Sequence, residues 1–455
     1  MDVLTPAEAA RSARDAVGTA ALAALVGGGL VVPALAVGEY ARLLSGLILA
    51  ATTGFAIRML LSALFALREP DRPPEVDSDA ALPSVTVVVT AYNEADALAE
   101  TVSACLRQSY PPERLDVVVG YEAASTDGTP AIAERLAAES PRVEAVRRDA
   151  PPAGKAAAVN RALRRARGEI VASIDAGQRF EPGAVRRAAG WFLADGGTWC
   201  VKGRCYGTNA AASLVALHAT VERHVVERIE FVARDASGGF DLFTGGQAFF
   251  RRAALDALGP FDETVLLEDL DMAARIHARG GRIRVDPGIV TAERNPETLA
   301  AWWSQRKRWA RGGMQVARRY LARLPADSDL PTTVRLDALY TFCTVLTLPA
   351  LALASPLVPL SVLGGAPAPP PSALAASTAA AAAALLLPYA VFLRDARAGR
   401  AHDPREYLVP ITLPLYLGLQ AAVVVDAFVD EFVRRRPAVY VTSREASPRG
   451  SPIEE

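Results

Sequence analysis

The chain has 455 residues, 51% of them apolar, and a positive mean hydropathy. That is too long for one ordinary core and apolar enough to call for membrane spans. A formal net charge of −1 leaves no field to attract a polyanion, which argues against nucleic acid as a partner. Four cysteines (Cys105, Cys200, Cys205, Cys343) lack ligand spacing. Cys200 and Cys205 are near enough in sequence to pair, but one loose pair is no disulfide framework, and reduced thiols facing the cytosol are the simpler reading. The four histidines are scattered without a metal motif.

Residues 1–16 read as a mixed polar segment on the cytosolic side, with Arg11 and Arg14 ahead of the first apolar run. The uncharged run 17–37 is long enough to cross a bilayer. It has no short apolar region followed by a processing site, so it reads as a span rather than a removed signal peptide. A second run reaches residue 67, so that 17–67 holds two spans. Arg58 interrupts it, and the preferred reading is that Arg58 snorkels to the interface. Residues 68–82 form a charged, proline-bearing linker.

The pattern then changes. Strands are expected at 85–90, 115–121, 143–147 and 169–175, with helices at 95–108, 130–139 and 155–167 between them. That alternation predicts a mostly parallel, doubly wound α/β sheet, whose ligands gather at the carboxyl ends of the strands. Polar residues cluster there: Tyr92, Asn93 and Glu94; Glu122, Ser125 and Asp127; Asp175. Helices are expected at 210–232, 268–280 and 296–323, and a glycine-rich stretch opens 238–252. Three more apolar runs (336–363, 373–393, 408–425) make 336–428 a C-terminal membrane region. Residues 394–406 carry four arginines and are expected on the cytoplasmic side. Five spans would then leave Arg434–Arg436 outside, which the positive-inside rule disfavours unless one run is re-entrant or interfacial. The tail 440–455 reads as disordered.

One stretch organises the rest. Glu268, Asp269 and Asp271 open a segment with helical apolar spacing (Leu270, Ala273, Ala274, Ile276). Carboxylates suit a helix N-terminus, and alone this is a charge cluster. Its company changes the reading, because Gln305–Arg306–Lys307–Arg308–Trp309 follows and several βα units precede. A carboxylate fixed where sheet loops converge can serve as a general base.

In order along the chain come Thr90–Glu94, Ser125–Thr129, Gly154–Lys155 with Asn160, Asp175, Gly245–Gly246, Glu268–Asp269, and a Gln-x-x-Arg-Trp element at Gln305, Arg308 and Trp309. Together these resemble the membrane-embedded family 2 glycosyltransferases, the group containing cellulose, hyaluronan and chitin synthases. Residues 83–320 carry the match, and the last element is its most specific piece.

The resemblance implies a cytosolic GT-A domain (83–295), interfacial helices (296–330), flanking transmembrane helices, and a plasma-membrane location. It also implies inverting transfer of a sugar from a nucleotide-sugar donor to a growing polysaccharide or lipid-linked glycan, with membrane lipid as a partner. By that resemblance Asp269 is the base, with Glu268 beside it. Arg308 and Lys155 neutralise the departing diphosphate. Tyr92, Glu94 and Glu122 hold the nucleotide. Gly245, Gly246, Gln305 and Trp309 line the acceptor side, and Asp175 binds Mg²⁺ or Mn²⁺. Blander readings stand beside these. Lys155 fits a solvated first-turn lysine, Gly245–Gly246 a plain turn, and Gln305–Trp309 a basic amphipathic helix on the bilayer.

Two positions depart from the family. Its paired aspartates read Glu122–Ala123 here, and its Asp-x-Asp reads Asp175–Ala176–Gly177, with Gln178 next. One Asp plus a diphosphate still offers hard oxygen ligands, and the Gln178 amide oxygen is a further candidate. These losses keep open a second class, a catalytically reduced scaffold or polysaccharide-binding protein. A transporter would not explain the sheet-end carboxylates.

Overall fold

The computed structural model describes residues 6–437 apart from 77, 151–153, 365–368 and 401. The expected tail at 440–455 lies outside the described residues. Eight strands are found among those described: β1 Val85–Ala91, β2 Leu115–Glu122, β3 Val143–Arg148, β4 Ile170–Asp175, β5 Arg179–Phe180, β6 Thr198–Gly207, β7 Ala248–Arg251 and β8 Arg282–Glu293. They form one sheet in the order β3-β2-β1-β4-β7-β6-β8-β5.

The first four strands are parallel, as the βα alternation predicts. Their valine runs (Val87–Val89, Val117–Val119) are wholly buried because helices cover both faces. Beyond β4 the sheet is mixed: β7 is antiparallel to β4 and β6, β8 is parallel to β6, and β5 is antiparallel to β8. The four strands β5, β6, β7 and β8 have no counterpart among the expected strands. Lys202 and Arg204 interrupt the apolar pattern of β6, yet both side chains are buried and ion-paired. β8 carries Arg282, Arg284, Asp286, Pro287 and Gly288, which resemble loop chemistry.

The chain runs outward from β1 to β2 and β3, then returns to place β4 on β1's other side. The carboxyl ends of β1 and β4 therefore flank a topological switch point, where a crevice opens. Helix Lys155–Leu163 ends four residues short of expectation. The expected helix at 210–232 runs instead from Leu214 to Ser237, with a π-helical turn at Val226–Glu230, and stops at Gly238 in the left-handed region.

Among the described residues, five helical stretches are long and apolar enough to cross a membrane: Asp15–Ala36, Gly38–Ala66, Thr332–Val362, Pro371–Arg397 and Pro404–Val433. Arg58 does not simply reach for an interface. It pairs with Asp337 at 2.9 Å and approaches Glu230 at 3.7 Å, so the charge is neutralised within the protein. The last stretch is unlike the others. Glu406 at its start contacts His224, Tyr416 and Gln420 in its middle donate to Glu222, and Asp426 and Asp430 near its end hold Lys307. It is bonded to the sheet domain and helix Leu299–Tyr320 along its whole length.

Asp286 of β8 shows how the sheet's mixed half is fastened. It is fully buried and accepts Arg187 Nε (2.7 Å), Arg187 Nη2 (2.9 Å) and Trp191 Nε1 (2.7 Å) from helix Ala184–Ala194. Asp286→Ala strands a guanidinium and an indole N–H, and is expected to cost about 3 kcal/mol. The check is thermal unfolding in detergent, where the variant should melt clearly below the parent.

Candidate active site

A cavity of about 410 Å³ opens at the switch point. All twelve residues singled out from the sequence line it: Tyr92, Glu94, Glu122, Lys155, Asp175, Gly245, Gly246, Glu268, Asp269, Gln305, Arg308 and Trp309. They come from seven separate stretches of chain, so their meeting is a property of the fold.

The floor is the loop after β1. Asn93 takes a positive φ of 53°, and its Oδ1 accepts from Thr126 N at 2.8 Å. Asp127 accepts from the N–H groups of Ala95 and Thr129, both at 3.0 Å. Ser125 and Asp127 thus brace the turn that presents Tyr92 and Glu94, and do not line the cavity. Burial pushes the Glu122 carboxyl up, and Arg148 at 2.7 Å opposes that.

Glu268 and Asp269 open helix Glu268–Ala278, and both are buried. Three contacts hold them. Asn160 grips the backbone N–H and C=O of Phe261 upstream, both at 2.9 Å. Gln315 Oε1 accepts from Leu266 N at 3.0 Å. Gly312 lets helix Leu299–Tyr320 approach so closely that an added Cβ would lie 2.6 Å from Leu267 Cγ. Asp269 Oδ2 accepts from Gly245 N at 2.7 Å, and its Oδ1 from Leu270 N at 2.7 Å. Asp271 points elsewhere, to Arg319, Tyr320 and Arg275, and serves packing.

Lys155 Nζ forms a short ion pair with Asp175. A Cβ on Gly245 would stand 3.0 Å from that Nζ and 3.3 Å from Asp175 Oδ2. The loop expected on the acceptor side therefore also touches the group expected at the phosphates. Gly246 packs still closer, its added Cβ falling 1.8 Å from Gln178 Oε1.

The donor set suits a hard divalent ion. Asp175 and Glu293 are carboxylates lining the cavity, and Gln178 Oε1 is buried without a hydrogen-bond partner. Oxygen ligands of this kind match Mg²⁺ or Mn²⁺. Gly177 sits at φ +98°, a conformation that side chains rarely adopt, and an added Cβ would meet Ala97 Cβ at 3.9 Å. Gln178, the next residue, is the one the turn delivers to the cavity.

Several lining residues were not singled out from the sequence. Glu222 Oε2 accepts Arg306 Nη2 (2.8 Å), Gln420 Nε2 (3.1 Å) and the Tyr416 hydroxyl. Glu227 holds Lys202 (2.8 Å), Thr244 (3.1 Å), Gln247 (3.2 Å) and Cys205 N (3.0 Å). Burial raises the Glu227 carboxyl, but Lys202 and Arg223 outweigh it and keep the group ionised. Arg223 pairs with Glu293 at 3.1 Å. Arg306 stacks over the Trp309 ring at 4.2 Å. A π-helical turn at a functional site was the available signal for Glu227, but sequence does not show such turns.

Comparison with known proteins agrees with this geometry. The family model described as "Glycosyltransferase like family 2" matches residues 83–312, and the chain belongs to that family. A probable glycosyltransferase, YdaM, of Bacillus subtilis is 30% identical over 250 residues, covering 53% of this chain and 58% of that protein. A beta-monoglucosyldiacylglycerol synthase of Synechocystis is 30% identical over 262 residues (55% and 52%). A poly-beta-1,6-N-acetyl-D-glucosamine synthase of Staphylococcus aureus is 24% identical over 246 residues (54% and 58%). The chain thus spans little more than half the length of the relatives it matches. Among solved structures, the mannosyltransferase PcManGT of Pyrobaculum calidifontis, in complex with GDP-Man and Mn²⁺, superposes with a TM-score of 0.57 at 25% identity. That match covers 87% of this chain and all of the other.

Glu268 gives a test of this electrostatics. Burial and the adjacent Asp269 charge raise its carboxyl from 4.5 to about 7, against Lys155 and Arg308, which lower it. The native state therefore binds more protons than the unfolded chain across that window, and stability falls as pH rises through it. Glu268→Gln removes this slope. Between about pH 5 and 8 the parent should lose up to roughly 3 kcal/mol that the variant keeps. Parallel melting curves against pH would contradict the assignment.

Proposed function

We propose that the chain transfers a sugar from a nucleoside-diphosphate donor to an acceptor carried at the membrane, with inversion at the anomeric carbon. The observation that carries this reading is the single cavity that gathers Asp269, Lys155, Asp175 and Arg308 beside the membrane-proximal helices. Asp269 takes the proton from the acceptor hydroxyl. The acceptor oxygen bonds to the anomeric carbon from the face opposite the leaving group, and the old bond's electron pair goes to the diphosphate oxygen. Gly245 N–H fixes one Asp269 oxygen, which leaves the carboxylate aimed rather than free to rotate. Lys155 and Arg308 offset the charge that grows on the diphosphate. Tyr92, Glu94 and Glu122 take the nucleoside, Glu122 reinforced by Arg148. Asp175, Gln178 Oε1 and Glu293 would hold a divalent ion, which when bound neutralises phosphate oxygens. Trp309, held under Arg306, and Gln305 offer a face and an amide to an acceptor sugar.

We read four of the apolar helices as spans and the fifth, Pro404–Val433, as lying along the base of the catalytic domain. Its bonds to that domain at start, middle and end support this, and it returns Arg434–Arg436 to the side of the catalytic domain. The positive-inside rule makes that side cytosolic. Glu222, Arg306, Tyr416 and Gln420 close the cavity's membrane-facing wall with direct bonds, which supports single transfer to a lipid-borne acceptor. The Gln-x-x-Arg-Trp element favours a second reading, processive polysaccharide synthesis.

The test is turnover in membranes offered UDP- and GDP-linked sugars with Mg²⁺ or Mn²⁺, reading nucleotide release and product size together. Asp269→Asn should abolish release while donor binding persists. Arg308→Ala should slow it by about 100-fold through lost charge stabilisation. One added sugar supports the lipid acceptor, and a ladder of long chains the second reading. Turnover retained in Asp269→Asn would remove it as the base.

A further inference from the structure

Two of the four histidines meet outside the active site. His224 lies on helix Leu214–Val225, and His402 in the connection after helix Pro371–Arg397. Their Nδ1 atoms are 3.1 Å apart, and each is 3.0 Å from Glu406 Oε2. All three residues are buried. The other Glu406 oxygen is spent on its own turn, accepting from Asp403 N at 3.2 Å.

Protons fit this triangle badly. Two N–H groups aimed at one oxygen from 3.0 Å, with their nitrogens only 3.1 Å apart, converge at an acute angle and set two like hydrogens against each other. A metal ion fits it well. Ligands about 2.0–2.1 Å from a tetrahedral zinc stand roughly 3.3 Å from one another, within a few tenths of an ångström of these edges. The surroundings extend the match. His402 Nε2 lies 3.9 Å from Asp395 Oδ2, beyond hydrogen-bond reach but on the side where an outer carboxylate orients a ligating imidazole. Phe392 stacks on His402 at 4.4 Å, and Tyr206 meets His224 edge-on at 4.8 Å, so the rings are fixed. Neither Nε2 atom has a hydrogen-bond partner.

We propose that His224, His402 and Glu406 bind one divalent transition-metal ion of the zinc type, clipping the connection between the last two apolar helices to the helix that carries Glu222 and Arg223 in the cavity wall. Two imidazoles and one carboxylate select zinc or its neighbours over the Mg²⁺ or Mn²⁺ suited to Asp175. Arg204 and Arg228 are the nearby fixed cations, and both turn to Asp395, at 2.6 Å and 3.1 Å. They oppose a further cation, which sets the affinity below that of a four-ligand structural site. The ion's work is mechanical: it fixes where the flat C-terminal helix begins by tying it to His224, the residue after Arg223 of the cavity wall.

The experiment uses the full chain in detergent, equilibrated with zinc and desalted, with metal counted by mass spectrometry. About one zinc per chain is expected, unchanged in Asp175→Asn and at least fivefold lower in the His224→Asn/His402→Asn double variant. Added chelator should lower the melting temperature of the parent but not of the double variant. Should the double variant fail to fold, cobalt titration of the parent decides: a tetrahedral visible band, bleached by zinc, supports the site. A parent with no more zinc than the double variant, or no protein-bound cobalt band, overturns it.

Discussion

The structure depends on keeping two adjacent carboxylates, Glu268 and Asp269, buried side by side. Like charges at such spacing repel, and burial strengthens the repulsion. The fold answers with a helix N-terminus beneath them, Lys155 and Arg308 near them, and the Gly245 N–H on Asp269. It also removes their freedom to move apart. Asn160 pins the loop upstream, while Gly312 and Gln315 press helix Leu299–Tyr320 against Leu266 and Leu267. The Gln-x-x-Arg-Trp helix therefore has two tasks on one face. One presents Gln305, Arg308 and Trp309 to the cavity, and the other holds the carboxylate loop in place. On the opposite side Lys307 pairs with Asp426 and Asp430, so that side is turned to the last apolar helix.

The junction between sheet domain and apolar helices is built from buried charge. Asp395 with Arg204 and Arg228, and Asp337 with Arg58 and Arg234, are all largely removed from water. Such pairs are poor sources of net stability, since desolvation consumes most of the Coulombic gain. Breaking one, however, leaves a stranded charge, so they penalise any other docking of the two parts. Apolar helices alone would slide against one another at little cost. The ion pairs fix the register that a cavity shared between the two parts requires.

What could be read from the sequence follows contact range. The parallel strands β1–β4, the helices between them and the sheet-end polar residues are local patterns, and the switch point follows from their order. Twelve of the cavity's lining residues were legible because the family's motifs name them. β6 and β8 were not, because their strands carry Lys202, Arg204, Arg284 and Asp286, whose partners lie far along the chain. Glu222, Glu227 and the His224–His402–Glu406 cluster were hidden for the same reason. His224 and His402 are 178 residues apart, beyond any spacing rule.

The altered metal motif is the place where sequence and geometry must be read together. By sequence, Gly177 is a lost carboxylate. In the fold it is the pivot of a turn at φ +98°, which a carboxylate-bearing residue would strain. The turn carries Gln178 into the cavity, where Gly246 leaves just enough room for its amide. Gln178 Nε2 donates to Glu293 at 3.0 Å, which orients Oε1 away from that carboxylate and leaves it unpartnered. An amide oxygen is neutral, so exchanging a carboxylate for it lowers the site's negative charge by one. Lys155 already compensates Asp175 in the same place. A site with less negative charge and a resident lysine binds a divalent ion less tightly on its own and gains more from the donor's diphosphate. Under the proposed function, metal and donor would enter the cavity as a pair, the diphosphate supplying the charge that Gly177 no longer does.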